Sequence, residues 1–104
     1  MINVAYDGGY SLKIDGHAGQ ADHGKDVVCA GASVLLYSLA EFIADNRERC
    51  VSLEISLKSG QGRVVAHPNA EFKKEARAAF LTAIAGYRHL VHTFPEYIRF
   101  SDCR

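Results

Sequence analysis

The feature that most constrains the fold is a long helical repeat of apolar residues in the second half of the chain. Its members are three or four positions apart: Phe72, Ala76, Phe80, Ile84, Tyr87, Val91 and Phe94. Pro68-Asn69 offers an extended residue and an N-cap before this repeat, and Pro95 ends it because proline cannot continue a helix. The spacing predicts an amphipathic helix over about 70–93 that buries one face.

Two periods divide the rest of the chain. One helical stripe contains Val28, Ala32, Leu35, Leu39, Phe42 and Ile43, which predicts a helix near 26–47. Elsewhere apolar and polar residues alternate, which is typical of half-buried strands. The predicted strands are Ile2–Tyr6, Leu12–Ile14, Val51–Leu57, Val64–Ala66 and Tyr97–Phe100. Turn residues at Asp7-Gly8-Gly9 and at Ser59-Gly60-Gln61-Gly62 join the first four strands into two hairpins.

The elements follow the order ββαββαβ without a linker between them. A chain of 104 residues, 48% of them hydrophobic, has enough apolar surface for one core. We therefore predict a single α+β domain over residues 1–104, in which two helices pack on a mixed β-sheet.

Charge and cysteine content exclude several classes of protein. Twelve Lys and Arg balance twelve Asp and Glu, so the chain has no general attraction for nucleic acid or an anionic membrane. The start lacks a basic segment followed by an apolar one, and 18 apolar residues never run together, so we expect a cytoplasmic protein. Three cysteines without CxxC spacing, Cys29, Cys50 and Cys103, exclude a disulfide framework but leave room for a reactive thiol.

The segment from Gly16 to Cys29 combines the residues that could carry chemistry. Gly16–Lys25 has the composition of a loop and contains Gly16, Gly19 and Gly24. Cys29 follows near the third position of the predicted helix, where free N–H groups and the helix dipole stabilise a thiolate. His17 could return to this sulfur as a base or ion-pair partner. The backbone N–H groups of Val28 and Cys29 could then receive an oxyanion.

Asp26 and Ser33 lie three residues before and four residues after Cys29, on the same face of the predicted helix. Asp26 is most simply an N-cap, with a second possible role in orienting His17 or holding the loop. Ser33 belongs to a run of small residues that suits a close approach of helix and sheet. Gly31 in this run costs about 1 kcal/mol relative to Ala, which tight packing or substrate access would explain.

Other interpretations of the same residues remain open. Cys29 could be a small buried hydrophobe, since free cysteine is among the most buried residue types. Gly19–Asp26 matches the start of a phosphate-binding loop but has Asp26 where that loop needs Ser or Thr, which argues against nucleotide binding. His17, His23 and Cys29 could form a zinc ligand set, yet neither CxxC nor HExxH is present. We therefore predict no metal or other cofactor.

With these residues in view, the chain resembles the ribosomal-processing cysteine protease (Prp) family of bacteria. The resemblance rests on Gly16-His17-Ala18, Gly24-Lys25-Asp26-Val27-Val28-Cys29-Ala30, Ser33 and the Phe94-Pro95-Glu96-Tyr97 ending. It implies a catalytic dyad of His17 and Cys29, with Asp26 and Ser33 in the places of the family's accompanying Asp and Ser. The chain departs at Gly31-Ala32, where Ala-Val is commoner, which puts substrate fit in question more than mechanism.

The resemblance also implies a function. Family members are endopeptidases that remove the N-terminal extension of a large-subunit ribosomal protein, cutting after an aromatic residue so that the subunit can assemble. They are homodimers, and their glycine loop, here with Gly19 and Gly24, is thought to admit the peptide and then order. A non-catalytic peptide-binding or ribosome-associated module is the alternative. A redox-sensing thiol is a third hypothesis, which the lack of an adjacent resolving cysteine weakens.

Overall fold

The computed structural model describes residues 1–16 and 23–102, with side chains from residue 27 onward in the second range. Its strands and helices follow the predicted order ββαββαβ. They are β1 (Ile2–Tyr6), β2 (Ser11–Gly16), α1 (His23–Asp45), β3 (Cys50–Lys58), β4 (Gln61–Pro68), α2 (Lys73–Thr93) and β5 (Ile98–Asp102). Short 3₁₀ helices at Arg47–Arg49 and Ala70–Phe72 precede β3 and α2.

The five strands form one mixed sheet in the order β3-β4-β2-β1-β5. β1 pairs with β5 in parallel, with Ile2 opposite Ile98, and the other neighbouring strands are antiparallel. Residues of β1 alternate between buried and exposed, as expected for a sheet covered on one face. The α+β prediction of two helices on a mixed sheet is therefore confirmed.

One core lies between the helices and the sheet. Its largest fully buried side chains are Tyr6, Leu12, Leu36, Ile43, Phe72, Phe80, Ile84 and Tyr87. The Tyr87 hydroxyl donates a 2.7 Å hydrogen bond to the carbonyl oxygen of Ala32, which fastens α2 to α1 inside this core. A buried hydroxyl needs such a partner, because an unsatisfied one would destabilise the fold.

The two helices approach each other closely at two glycines. Leu90 of α2 lies over Gly31 of α1, where an added Cβ would be 3.3 Å from Leu90 Cδ2. Reciprocally, Leu35 of α1 lies over Gly86 of α2, where an added Cβ would be 2.5 Å from Leu35 Cδ2. The tight-packing explanation for Gly31 is thus supported, with α2 as the partner rather than the sheet.

Helix α1 differs from the prediction in its bounds and in its buried face. It begins at His23 and ends at Asp45, whereas a helix near 26–47 was expected. Leu36 is fully buried, while Leu35 is half-buried and Phe42 is 39% exposed. The reason is that α1 packs on two partners: Leu36 faces the sheet at Gly62, and Leu35 turns towards α2.

By length and composition alone, α1 would also be able to cross a membrane. Its segment Val27–Asp45 has a mean hydropathy of 1.9, and 33% of it is buried in this domain. The core helix of a soluble protein passes the same test, and Val28, Leu36 and Ile43 of α1 are fully buried core residues. We therefore interpret this segment as a core helix whose outward face also contains apolar residues, such as Val34 and Phe42.

Candidate active site

A cavity of about 370 Å³ lies beside α1, at the end of the sheet where β2 finishes. Its size is at the small end of the range for ligand pockets. The residues that line it are Ile2, Ile14, Gly16, Cys29, Ala32, Ser33, Leu36, Tyr37 and Leu57 to Gly62. The cavity thus has α1 as one wall, the β3–β4 turn as the other and apolar sheet residues between them.

The α1 wall contains Cys29 and Ser33, as the sequence predicted from their spacing of four residues. Cys29 is a free, half-buried thiol whose side chain also packs against the core. It is therefore neither the fully buried hydrophobe of the alternative interpretation nor an exposed surface thiol. Ser33 is half-buried one turn further along and lines the same cavity.

Gly16 lies at the end of β2 and lines the cavity opposite this wall. Its φ of 95° falls in the region that side chains disfavour, and a Cβ there would overlap the carbonyl oxygen of Met1. Two independent constraints thus require glycine directly before His17. His17 and Gly19 themselves lie outside the described residues.

The start of α1 at His23 changes the expected surroundings of Cys29. Gly24, expected in the loop, lies in the first turn, and Asp26 is the fourth helical residue rather than an N-cap. Cys29 is the seventh residue, so the unpaired N–H groups of the helix are those of residues 23–26. The N–H groups of Val28 and Cys29 lie beyond them, where helical N–H groups bond carbonyls four residues earlier. The helix-terminus argument for these two groups as oxyanion donors is therefore wrong.

A family model described as "Cysteine protease Prp" matches residues 1–99. The chain belongs to the Prp cysteine protease family. It is accordingly a cysteine protease, and the predicted resemblance is confirmed. No significant match was found among curated proteins.

The chain also shares its fold with solved structures. The Prp ribosomal processing protease of Staphylococcus aureus, in complex with a covalently linked product peptide, is 24% identical with a TM-score of 0.75. The alignment covers 98% of this chain and 99% of that one, and a complex with a substrate peptide matches equally well. SMU.848 from Streptococcus mutans is 23% identical with a TM-score of 0.75, over 98% of this chain and 93% of that one.

For a Prp-family chain, the departure at Gly31-Ala32 divides into two effects. Gly31 contacts Leu90 of α2 and does not line the cavity, so this position affects helix packing. Ala32 does line the cavity, and a smaller residue there leaves more room beside Cys29. Of the two positions, only Ala32 therefore borders the cavity.

Sequence reasoning missed the far end of this cavity. Tyr37 lies eight residues after Cys29 and continues the wall of Cys29 and Ser33, a spacing that could have revealed it. Leu57 lines the cavity from β3, opposite Gly62 in the sheet register. No local signal marks Leu57, because its place depends on how β3 pairs with β4.

Cys50 provides a contrast to Cys29. Burial raises the pKa of the Cys50 thiol, and the neighbouring Arg49 guanidinium offsets part of that shift. Cys50 begins β3 away from the cavity residues. Among the side chains described here, no three His, Cys, Asp or Glu are grouped to hold a metal ion. His17 and the His23 side chain of the hypothetical zinc set lie outside that description.

Proposed function

We propose that this Prp-family chain removes the N-terminal extension of a large-subunit ribosomal protein, with Cys29 as nucleophile and His17 as its base. One observation carries the proposal: Cys29 and Gly16, the residue before His17, line the same cavity. The chain also shares the fold of the S. aureus ribosomal processing protease, which has been solved with substrate and product peptides. A host ribosomal protein precursor is therefore the proposed partner.

The proposed reaction proceeds in two steps. The Cys29 thiolate attacks the carbonyl carbon of the peptide bond, and the tetrahedral intermediate collapses to a thioester as His17 protonates the leaving amine. Water, giving one proton to His17, then attacks the thioester, Cys29 leaves as thiolate, and the cleaved N-terminal fragment is released as a carboxylic acid that loses its proton to solvent. The protein returns to its starting state, and neither step as written requires a cofactor.

The oxyanion requires hydrogen-bond donors that have no other partner. Helical side chains lean towards the N-terminus, so the Cys29 sulfur is expected over the preceding turn, near the unpaired N–H groups of the first turn. We therefore propose donors from residues 23–26 in place of Val28 and Cys29. Asp26, on the Cys29 face, would orient His17, and Ser33 would donate a hydrogen bond near the sulfur.

The segment between β2 and α1, which contains Gly19, would admit the substrate together with Gly24 in the first turn of α1. Its place in the chain supports this role, because it follows Gly16 and precedes the helix of Cys29, and both of these residues line the cavity. Glycine adapts its backbone at low steric cost when a peptide approaches closely.

We further propose a homodimer in the cytoplasm. Two apolar grooves follow the outer junction of α1 and α2, with volumes of about 450 and 490 Å³. Val34, 61% exposed, and Phe42 line one groove each, beside small residues of α2 such as Gly86 and Ala79. Exposed apolar surface of this kind is typical of protein interfaces, and a two-fold dimer would cover it with the same face of a second copy. We propose no direct partner among nucleic acids or membranes, because the balanced charge supplies no general electrostatic attraction for either.

The test is to incubate the purified protein with the host's ribosomal precursor and to measure the mass of the products. We expect loss of the N-terminal extension with the wild type and with Cys50→Ala, the matched control thiol. Cys29→Ala and Cys29→Ser should leave the precursor intact. Cleavage retained by Cys29→Ala would contradict the proposal, and co-elution with an uncut precursor would favour the non-catalytic peptide-binding module.

A further inference from the structure

We propose that Tyr37 and Leu57 form an apolar subsite that binds a bulky apolar side chain three to four residues away from the bond that is cut. The inference rests on the proposed function, because it places the substrate peptide in the cavity that contains Cys29. Beyond the proposed function, the inference names the residues that select the substrate and the substrate position that they select.

Both side chains of the proposed subsite are exposed to solvent. Tyr37 is 52% exposed and Leu57 is 42% exposed, although both are large and largely apolar. Within residues 1–16 and 27–102, five other large apolar side chains are comparably exposed, and none of those five lines this cavity. Exposed apolar side chains that line a cavity from two walls are suited to contact an apolar group.

The surface between Tyr37 and Leu57 contains apolar side chains. Leu36 is fully buried at the base of the cavity, and Ile14 lies beside it on β2. Gly62 lets Leu36 pack directly against β4 at this base, because a Cβ at Gly62 would overlap Leu36 Cδ2. An apolar side chain inserted between Tyr37 and Leu57 thus meets apolar surface on three sides and leaves water as it binds.

The distance along α1 between Cys29 and Tyr37 sets which substrate residue can reach the subsite. Tyr37 follows Cys29 by eight residues, which corresponds to about 12 Å along the helix axis at about 1.5 Å per residue. An extended peptide advances about 3.3 Å per residue, so it covers that distance in three to four residues. Ser33 lies halfway between. The apolar subsite therefore cannot bind the residue at the cut itself when the peptide runs along α1.

The test combines protein variants with an alanine scan of the substrate peptide. The peptides span the N-terminal extension of the host's ribosomal protein, and kcat/KM is measured for each. For the wild type, alanine at an apolar position three or four residues from the cut should lower kcat/KM by about tenfold or more. In Tyr37→Ala and Leu57→Ala, the same replacement should have little further effect, because the subsite is already lost.

Two control variants separate this role from a general one. Val51→Ala removes an apolar side chain on the same strand as Leu57, 78% exposed and outside the cavity, and should respond like the wild type. Tyr37→Phe keeps the ring and should also respond like the wild type. If Tyr37→Ala and Leu57→Ala remain as sensitive as the wild type at every peptide position, the inference is overturned. Sensitivity that they lose only at the residue beside the cut overturns it too.

A binding measurement keeps the inference separate from the proposed reaction. A fluorescent peptide of the extension is titrated with Cys29→Ala protein, with and without Leu57→Ala, and anisotropy gives the Kd. We expect Leu57→Ala to raise Kd by about tenfold for the native peptide and little for the peptide with alanine at the selected position. This result decides the subsite even if the wild type cuts no peptide, in which case only the proposed processing of the ribosomal precursor fails. Equal Kd values for both proteins would overturn the inference.

Discussion

The backbone N–H of Gly16 donates a 2.8 Å hydrogen bond to the carbonyl oxygen of Gly60. Gly16 ends β2 directly before His17, and Gly60 lies in the β3–β4 turn that forms the opposite wall of the cavity. Both residues have positive φ, 95° and 74°. The hydrogen bond thus connects the residue before His17, the proposed general base, to the cavity wall that contains Leu57.

We expect Gly16→Ala to destabilise the fold by about 2 kcal/mol or more, because alanine is strained at this φ and its Cβ overlaps the Met1 carbonyl oxygen. Urea unfolding measures the change in the free energy of unfolding. Gly9→Ala is the matched control, since its Cβ would have ordinary contacts at 3.7 Å, and should change stability by less than about 0.5 kcal/mol. Equal losses for the two variants would contradict the argument.

The two helix-contact glycines should respond differently to alanine. Alanine gains about 1 kcal/mol over glycine inside a helix. At Gly31 the nearest Leu90 atom is 3.3 Å from the added Cβ and has to move only slightly, so Gly31→Ala should stabilise the protein. At Gly86 the Leu35 atoms at 2.5 and 2.8 Å must be displaced, which offsets the gain. Thermal unfolding that ranks Gly86→Ala above Gly31→Ala would refute this prediction.

Alkylation should distinguish the two described thiols in one sample. Burial raises the pKa of Cys50, so its reaction with iodoacetamide should become slower as pH falls from 8 to 6, by about tenfold per unit. Cys29, the nucleophile of the proposed dyad, should be alkylated faster than Cys50 at pH 7. Peptide mass spectrometry measures both sites. His17→Ala should slow the alkylation of Cys29, and an unchanged Cys29 rate would argue against the dyad.

Tyr87 predicts how stability falls in alkali. Burial raises the pKa of Tyr87 above its ordinary value of about 10, so the unfolded chain loses this proton at a lower pH than the folded one. Its contribution is therefore fully present below about pH 10 and is lost above it, by up to about 1.4 kcal/mol per pH unit. Tyr87→Phe removes this part of the slope and costs about 1 kcal/mol at neutral pH through the bond to Ala32. Urea unfolding at pH 7 to 11 compares the two proteins, and parallel slopes would contradict the assignment.

The sequence was sufficient for the order of elements because each helix and strand carries its own period. It was insufficient for the face of α1, where Leu35 and Leu36 are adjacent and both apolar. Only the crossing with α2 decides that Leu35 meets Gly86 while Leu36 meets Gly62. The start of α1 was missed because Gly24 and its polar neighbours have the composition of a loop, although they are helical here.

The candidate site divides in the same way. Cys29 and Ser33 share a helix face, so their spacing alone placed them together, and the structure adds the cavity that they line. Leu57 reaches that cavity through the pairing of β3 with β4. The cavity brings Leu57 together with Cys29 and Ser33, which are distant from it in the sequence. Local patterns contain the first kind of relationship and not the second.

The reciprocal placement of Leu35 over Gly86 and of Leu90 over Gly31 also limits motion. A shift of α1 along α2 by one turn would move both leucines away from the glycines that they cover. Both would then meet larger side chains of the facing helix. The backbone that presents Cys29 is therefore locked in register with α2. At the proposed subsite, adjustment to apolar side chains of different shape then falls to rotamer changes of Tyr37 and Leu57, while the two helices keep their register.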